Sequence, residues 1–263
     1  MSSKPFILLS NDDGVMAPGL SALADVLADM ADVMVVAPDR ERSAASHSIS
    51  LDHPLRVTQI RSNVYAVDGT PVDCVYLALL HLVPRKPDLC LSGINNGFNL
   101  GSDVFYSGTV GAAVEATLRG IRAIAVSVER RWPQDFAPAA GFVRRLAQEV
   151  LAQGPLAIES GTLLNLNLPA GPVRGFRLTS MGKRLYRDQV DVREDLRGRP
   201  YYWIGGPEEK GEDEPASDSH AVQSGLASIT PLSLDLTHRP ALQRMSAWKL
   251  GDFVEGVAVH VGE

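Results

Sequence analysis

Residues 6–19 read FILLSNDDGVMAPG, and the way this stretch is read decides the fold. Phe6 to Leu9 form an unbroken apolar run of strand length. Pro18 then opens a helix whose apolar positions Leu20, Leu23, Ala24, Leu27 and Met30 share one face at 3.6-residue spacing. A strand with no polar alternation is buried on both faces, so this is the start of a βαβ unit with a parallel sheet. Between strand and helix stand Asn11, Asp12, Asp13 and Gly14. Two adjacent carboxylates at a strand end repel one another, and something must compensate them.

The same alternation runs outward from this unit. DVMVVAP (32–38), VYAVDGT (64–70), PDLCLSG (87–93) and AIAVSV (123–128) are further strand-like runs. Thr70, Pro71 and Asp73 stand as N-cap, N1 and N3 of a helix through Leu82. GTVGAAVEATLRG is a helix ended by Gly120, and 136–153 is another amphipathic helix. The fold expected is α/β: a Rossmann-like, doubly wound, mostly parallel sheet, with residues 1–165 as its core. After about residue 165 the pattern changes. LLNLNLP (163–169), FRLTS (176–180), YYWIGG (201–206) and SITPLSLDLTH (228–238) read as hairpins or extensions that complete the core. The polar stretch 207–225, PEEKGEDEPASDSHAVQSG, is expected to be a mobile, solvated loop.

Composition narrows the function. The chain has 263 residues, 45% hydrophobic and 21% charged, an ordinary globular balance. No run approaches the roughly 20 apolar residues of a membrane span. The N-terminus has no apolar signal region. Cys74 and Cys90, each in an apolar run, read as buried free thiols. A reducing, cytoplasmic setting is expected, with no membrane partner. A net charge of −6 argues against a nucleic-acid polymer as partner, because backbone binding needs clustered Lys and Arg.

In doubly wound sheets ligands bind beyond the carboxyl ends of the strands. The segments that follow the strands bring Asp12, Asp13, Ser43, Asn95 and Asn96 to one edge. Carboxylates, a hydroxyl and amides without Cys or clustered His suit a hard dication such as Mg²⁺, Mn²⁺ or Ca²⁺. The alternative is that one acid merely caps the helix at Pro18. Ser107, Gly108 and Thr109 stand where a helix begins, and free N–H groups with two hydroxyls there favour an anion. Alone, Ser107 would be only an N-cap. Facing a dication, that terminus would hold a phosphate in one orientation. A free carboxylate oxygen of Asp12 or Asp13 is the candidate general base. GINNGFNLG (93–101) has neither a Walker pattern nor GxGxxG, so it reads as an irregular loop presenting its Asn side chains. Arg40 and Arg42 stand as anion contacts or solvated arginines, and His47 as an acid or substrate contact or neither.

ILLSNDDGVMAPGL, VVAPDRERSAASHSIS, GTPVDCVYLAL, SGINNGFNLGSDVFYSGTVGAAVEA and AIAVS, in that order over roughly residues 6–128, resemble the SurE survival proteins, metal-dependent 5′/3′-nucleotidases. The resemblance implies hydrolysis of nucleoside monophosphates at one divalent ion, Mg²⁺ or Mn²⁺, and leaves open whether 3′-nucleotides and short polyphosphates are cleaved as well. Matched motif by motif, the metal ligands fall on Asp12, Asp13, Ser43 and Asn95, with Asn96 directly beside Asn95 as a rival amide. The phosphate-binding segment falls on Ser107, Gly108 and Thr109, near Asn96. The resemblance also implies homodimers or homotetramers built through the C-terminal part of residues 166–263, where SITPLSLDL and FVEGVAVHV are apolar. Two rivals share the acidic turn. A haloacid-dehalogenase-type phosphatase would place Asn11 at its nucleophile position, and an amide cannot form an aspartyl-phosphate. A Mg²⁺-binding receiver module, a signalling domain, would need an acceptor Asp where PDLCLSG ends in Ser and Gly, and about half this length.

Overall fold

The computed structural model describes residues 4–131, 134–183, 185–186, 189–205, 208–209 and 214–248. β1 (Phe6–Ser10) is buried at every position. It is followed by α1 (Pro18–Leu27), β2 (Asp32–Pro38), β3 (Val57–Arg61), β4 (Val64–Val67) and α2 (Pro71–Leu77). Then come β5 (Leu89–Asn96), α3 (Gly108–Leu118), β6 (Ala123–Val128), α4 (Ala137–Gln153) and β7 (Thr162–Leu168). β8 (Phe176–Leu178) precedes a hairpin made of β9 (Leu185–Tyr186), β10 (Gln189–Glu194), β11 (Pro200–Gly205) and β12 (Glu208–Glu209). α5 (Asp218–Gln223), β13 (Ala227–Ser233) and α6 (Arg239–Met245) end the described chain.

The main sheet has the order β3-β4-β2-β1-β5-β6-β7-β13-β8. β4, β2, β1, β5, β6 and β7 pair in parallel, and β3 and β13 add antiparallel partners at either side. Side chains on a strand alternate between faces. Ile7 and Leu9 therefore join α1 and α4 in one core through Leu20, Leu23, Leu27, Ala140 and Val143. Phe6 and Leu8 face the other way and join α2 and α3 through Cys74, Val75, Ala112, Ala113 and Ala116. A strand with apolar partners on both faces must read as the unbroken run found in the sequence. Cys74 and Cys90 are free and buried, and burial pushes the Cys90 thiol up to about 12. No helix among the described residues is long and apolar enough to cross a membrane.

Local chemistry sets the strand ends. Thr70 accepts the Asp73 N–H while the Asp73 side chain accepts the Thr70 N–H, a capping box that starts α2. The helical turns continue as a π segment through Leu82. Gly93 lies at φ +138°, and a Cβ there would stand 2.3 Å from the Val126 carbonyl oxygen. Only glycine permits this approach, and the pairing with β6 shifts register between Ser92 and Asn95. The irregular end of β5 carries Asn95 and Asn96.

The stretch 207–225 differs from the solvated loop expected of it. Residues 206–207 and 210–213 lie outside the described residues, but 218–223 form α5, with Ser217 accepting the His220 N–H as its cap. Asp218 is fully buried and accepts N–H groups from Gly101 at 2.8 Å and Gly182 at 2.9 Å. Its acidic composition disguised a residue whose charge is used inside the protein. SITPLSLDLTH is strand only to Ser233, with α6 beginning at Arg239. The apolar run FVEGVAVHV lies outside the described residues.

Candidate active site

The acidic turn is built by Asn11. Its Nδ2 donates to the Gly14 carbonyl at 2.9 Å and its Oδ1 accepts the Gly14 N–H at 3.2 Å. The amide closes the turn, a structural use that leaves it no role as a nucleophile. Asp12 is 5% exposed and lies against the start of α3. The Thr109 hydroxyl donates to Asp12 Oδ1, and the Thr109 N–H also serves the Asp12 carboxyl. Gly108 makes room for this contact: a Cβ on it would lie 2.9 Å from the Asp12 Cβ. Burial still raises the Asp12 carboxyl above the ordinary range, against the lowering effect of the Thr109 bonds. Asp13 is half-buried. Burial first, and the Asp12 charge second, push it up to about 6, while the Asn96 backbone N–H opposes the rise. The fold thus holds two like charges together without neutralising them.

The loop after β2 is fastened to the same place. The Arg42 N–H donates to the Asp12 carbonyl at 2.7 Å, and the Ser46 hydroxyl donates to the Phe105 carbonyl at 2.6 Å. Between those anchors Ser43 is exposed, its hydroxyl donating to Glu41 at 2.6 Å. Asn95 donates its Nδ2 to the Gly97 carbonyl at 2.7 Å, which leaves its Oδ1 as the free acceptor. Asp12, Asp13, Ser43, Asn95, Ser107 and Arg130 line one cleft of about 540 Å³.

This donor set fits a hard dication. It offers two carboxylates, an amide oxygen and a hydroxyl, all oxygens, around a local excess of negative charge. Among the described residues no three His, Cys, Asp or Glu side chains gather to make a rival centre. The helix terminus fits an anion. Ser107 caps α3 by accepting the Val110 N–H at 3.1 Å, and Gly108 as first helical residue has no preceding turn to take its N–H. Thr109 is fully buried beneath Asp12, so its hydroxyl serves the acid and not the open cleft. The sequence alone did not separate these two uses.

The two neighbouring amides part company. Asn96 does not line the cleft, and its side-chain oxygen is buried without a partner; its contribution is the backbone N–H that meets Asp13. Arg40 and Arg42 lie outside the lining, with Arg42 donating to the Asp68 carbonyl at 2.9 Å. His47 also stands apart, its Nε2 3.2 Å from the buried Glu115. Arg130 was missed. It follows the AIAVSV strand at its carboxyl end, where the rule that found the other segments would have found it too. Phe98, Tyr106 and Ile204 complete the cleft mouth.

The sequence profile of the family described as Survival protein SurE matches residues 7–188. The chain is 52% identical over 245 residues to the 5′-nucleotidase SurE of Anaeromyxobacter dehalogenans strain 2CP-C, covering 92% of this chain and 95% of that protein. It is 50% identical to the 5′-nucleotidase SurE of Geobacter sulfurreducens over 248 residues, 93% of this chain and 94% of the other. It is 48% identical to that of Vibrio cholerae over 246 residues, 92% and 96% of the two chains. The crystal structure of the SurE protein from Aquifex aeolicus superposes with a TM-score of 0.82 at 40% identity, covering 92% of this chain and 98% of that one.

Proposed function

This chain belongs to the SurE survival-protein family, and we propose that it is a 5′-nucleotidase that hydrolyses nucleoside monophosphates with the help of one divalent ion, Mg²⁺ or Mn²⁺. The observation that carries the reading is a pair of adjacent like charges, one buried and one half-buried, meeting a helix N-terminus in one cleft. Asp12, Asp13, the Asn95 amide oxygen and the Ser43 hydroxyl would hold the ion. When bound, it would polarise a phosphate oxygen and lower the pKa of a water molecule.

The remaining work belongs to the chain itself. The Gly108 N–H and the Ser107 segment orient the phosphoryl group and stabilise charge developing on its oxygens. Thr109 fixes Asp12 in one rotamer through its hydroxyl and N–H. Asp12 is the more enclosed acid, so Asp13 is the candidate base that takes a proton from the attacking water. Phosphate leaves with the water oxygen, the P–O bond to the nucleoside breaks, and the proton held by Asp13 passes to the departing oxygen, so the nucleoside leaves as the free hydroxyl. Residues 1–165 carry these groups, and 166–263 complete the sheet and supply self-association into a dimer or tetramer. The exposed Tyr201, Tyr202, Trp203 and Ile204 of β11 support that last part. A cytoplasmic setting is supported by the two free thiols.

The test is phosphate release from AMP, GMP, 3′-AMP, tripolyphosphate and ATP, with Mg²⁺ or Mn²⁺ and after chelation. AMP or GMP should turn over much faster than ATP, because the cleft has no Walker loop to cradle a triphosphate. Equal or faster release from ATP would overturn the reading.

A further inference from the structure

The acid pair has two flanks. On the α3 flank, Thr109 and Gly108 serve Asp12. On the other flank stands Arg130, the one basic residue among the described residues that line the cleft. Its Nε donates to the Asn96 carbonyl at 2.9 Å, and its guanidinium lies over Gly97, with Nη2 3.5 Å and Nε 3.7 Å from where a Cβ on Gly97 would be. That single bond fixes the plane of the fork and uses the inner nitrogen. Among the described residues no carboxylate makes an ion pair with the outer nitrogens: the nearby Glu129 is taken by Arg131 at 3.2 Å and by the Ala170 N–H at 3.0 Å, and the guanidinium charge acts on Asp13, whose carboxyl it holds down against the rise caused by burial. The Asn95 Nδ2 lies 3.8 Å from the same Gly97 Cβ position, so the fork and a proposed ion ligand flank the same glycine in the cleft lining.

The charge balance of the cleft needs such a group. A bound dication would match the charges of Asp12 and Asp13 and leave no surplus for a substrate that itself brings up to two negative charges, and Asp103 is a further acid in the lining. Ser107 and Gly108 add only neutral donors. A planar guanidinium with two outer nitrogens suits two oxygens of one phosphoryl group, and a lysine in its place would lack the fork.

We propose that Arg130 is a substrate-binding residue that grips the phosphoryl group from the Asp13 flank, while the α3 N-terminus holds it from the Asp12 flank. This rests on the phosphomonoester reading above, but it is separable from it, because inorganic phosphate binding needs no turnover. Arg130 is exposed, so its replacement leaves the core intact. In Arg130→Ala the KM for AMP should rise about tenfold with kcat changed much less, the pattern of lost uniform binding. The dissociation constant of inorganic phosphate for the Mn²⁺-loaded protein, measured by calorimetry, should rise by a similar factor. Arg130→Lys should fall between the two, and Arg131→Ala, whose guanidinium belongs to Glu129, should match the parent. The Mn²⁺ concentration for half-maximal binding should stay within twofold in all of them. If Arg130→Ala keeps the parent affinity for inorganic phosphate, the inference is wrong. It is equally wrong if the variant changes Mn²⁺ affinity instead, since Arg130 would then act through Asp13. A parent that binds phosphate through Arg130 yet releases none from AMP would preserve the inference and defeat the nucleotidase reading.

Discussion

The two ends of the central sheet each carry a concavity, and they use charge in opposite ways. At the amino ends of β5, β6 and β7 a pocket of about 380 Å³ is lined by Asp88 and Arg122, among others. There Asp88 and Arg122 are committed to the fold. Arg122 donates to the carbonyls of Val150 at 2.8 Å, Gly154 at 2.6 Å and Asp88 at 3.1 Å. The Asp88 carboxylate accepts the Phe6 N–H at 2.7 Å and pairs with Arg85 at 3.2 Å. At the carboxyl ends Asp12 and Asp13 are held side by side, and both carboxyls are raised by burial. The first arrangement lowers the energy of the folded chain. The second raises it, is eased only in part by Thr109, the Asn96 N–H and Arg130, and would be relieved further by a bound cation. Concave shape alone does not mark a site; unrelieved charge does.

The comparison can be broken from either end. The largest effect belongs to the carboxyl-end cleft. Asp12→Asn and Asp13→Asn keep side-chain size and remove charge, and each should cut phosphate release on the order of 100-fold or more. Retention of turnover in both would remove the functional half of the contrast. At the other end, Arg122→Ala strips a donor from three backbone carbonyls and should cost about 2 kcal/mol of stability. KM and metal dependence should remain at parent values. Lost activity without a lower melting point would mean that the amino-end pocket is no mere support.

A smaller effect follows from pH. The Asp13 carboxyl is raised to about 6 in the folded, ion-free protein, against an ordinary value of 3.8. Its protonated form is therefore favoured by folding, and that contribution is full below 3.8 and lost as pH rises through 6. A dication competes with that proton. The rise in melting temperature caused by Mn²⁺ should be larger at pH 7.5 than at pH 5. An equal rise at both would show that the raised carboxyl is not where the ion binds.

What the sequence revealed follows the same division. β1 was legible because burial on both faces forces an unbroken apolar run, and the Thr70–Asp73 capping box because its residue types are specific. The segments carrying Asp12, Ser43, Asn95 and Ser107 were legible from the rule that strand ends share an edge. Less visible was anything fixed by contacts between distant segments. Asp218 looked like one acid among many in a polar stretch, yet its partners are Gly101 and Gly182, far away in the chain. Thr109 looked like a phosphate donor, but its hydroxyl meets Asp12 across 97 residues. Asn95 and Asn96 were equivalent as letters and differ only because adjacent strand residues point apart.

The central claim is that the acid pair exists to hold a dication. Calorimetric titration of Mn²⁺ at pH 7.5 into the parent, Asp12→Asn and Asp13→Asn, beside melting temperatures in chelator, tests it most directly. The parent should bind one ion per chain, and each variant should lose that binding. Without the ion, Asp13→Asn should melt at or above the parent, because removing one of two adjacent like charges relieves the folded state. If both variants bind Mn²⁺ like the parent and melt lower than it, the two carboxylates are a structural cap and not ligands, and the account fails.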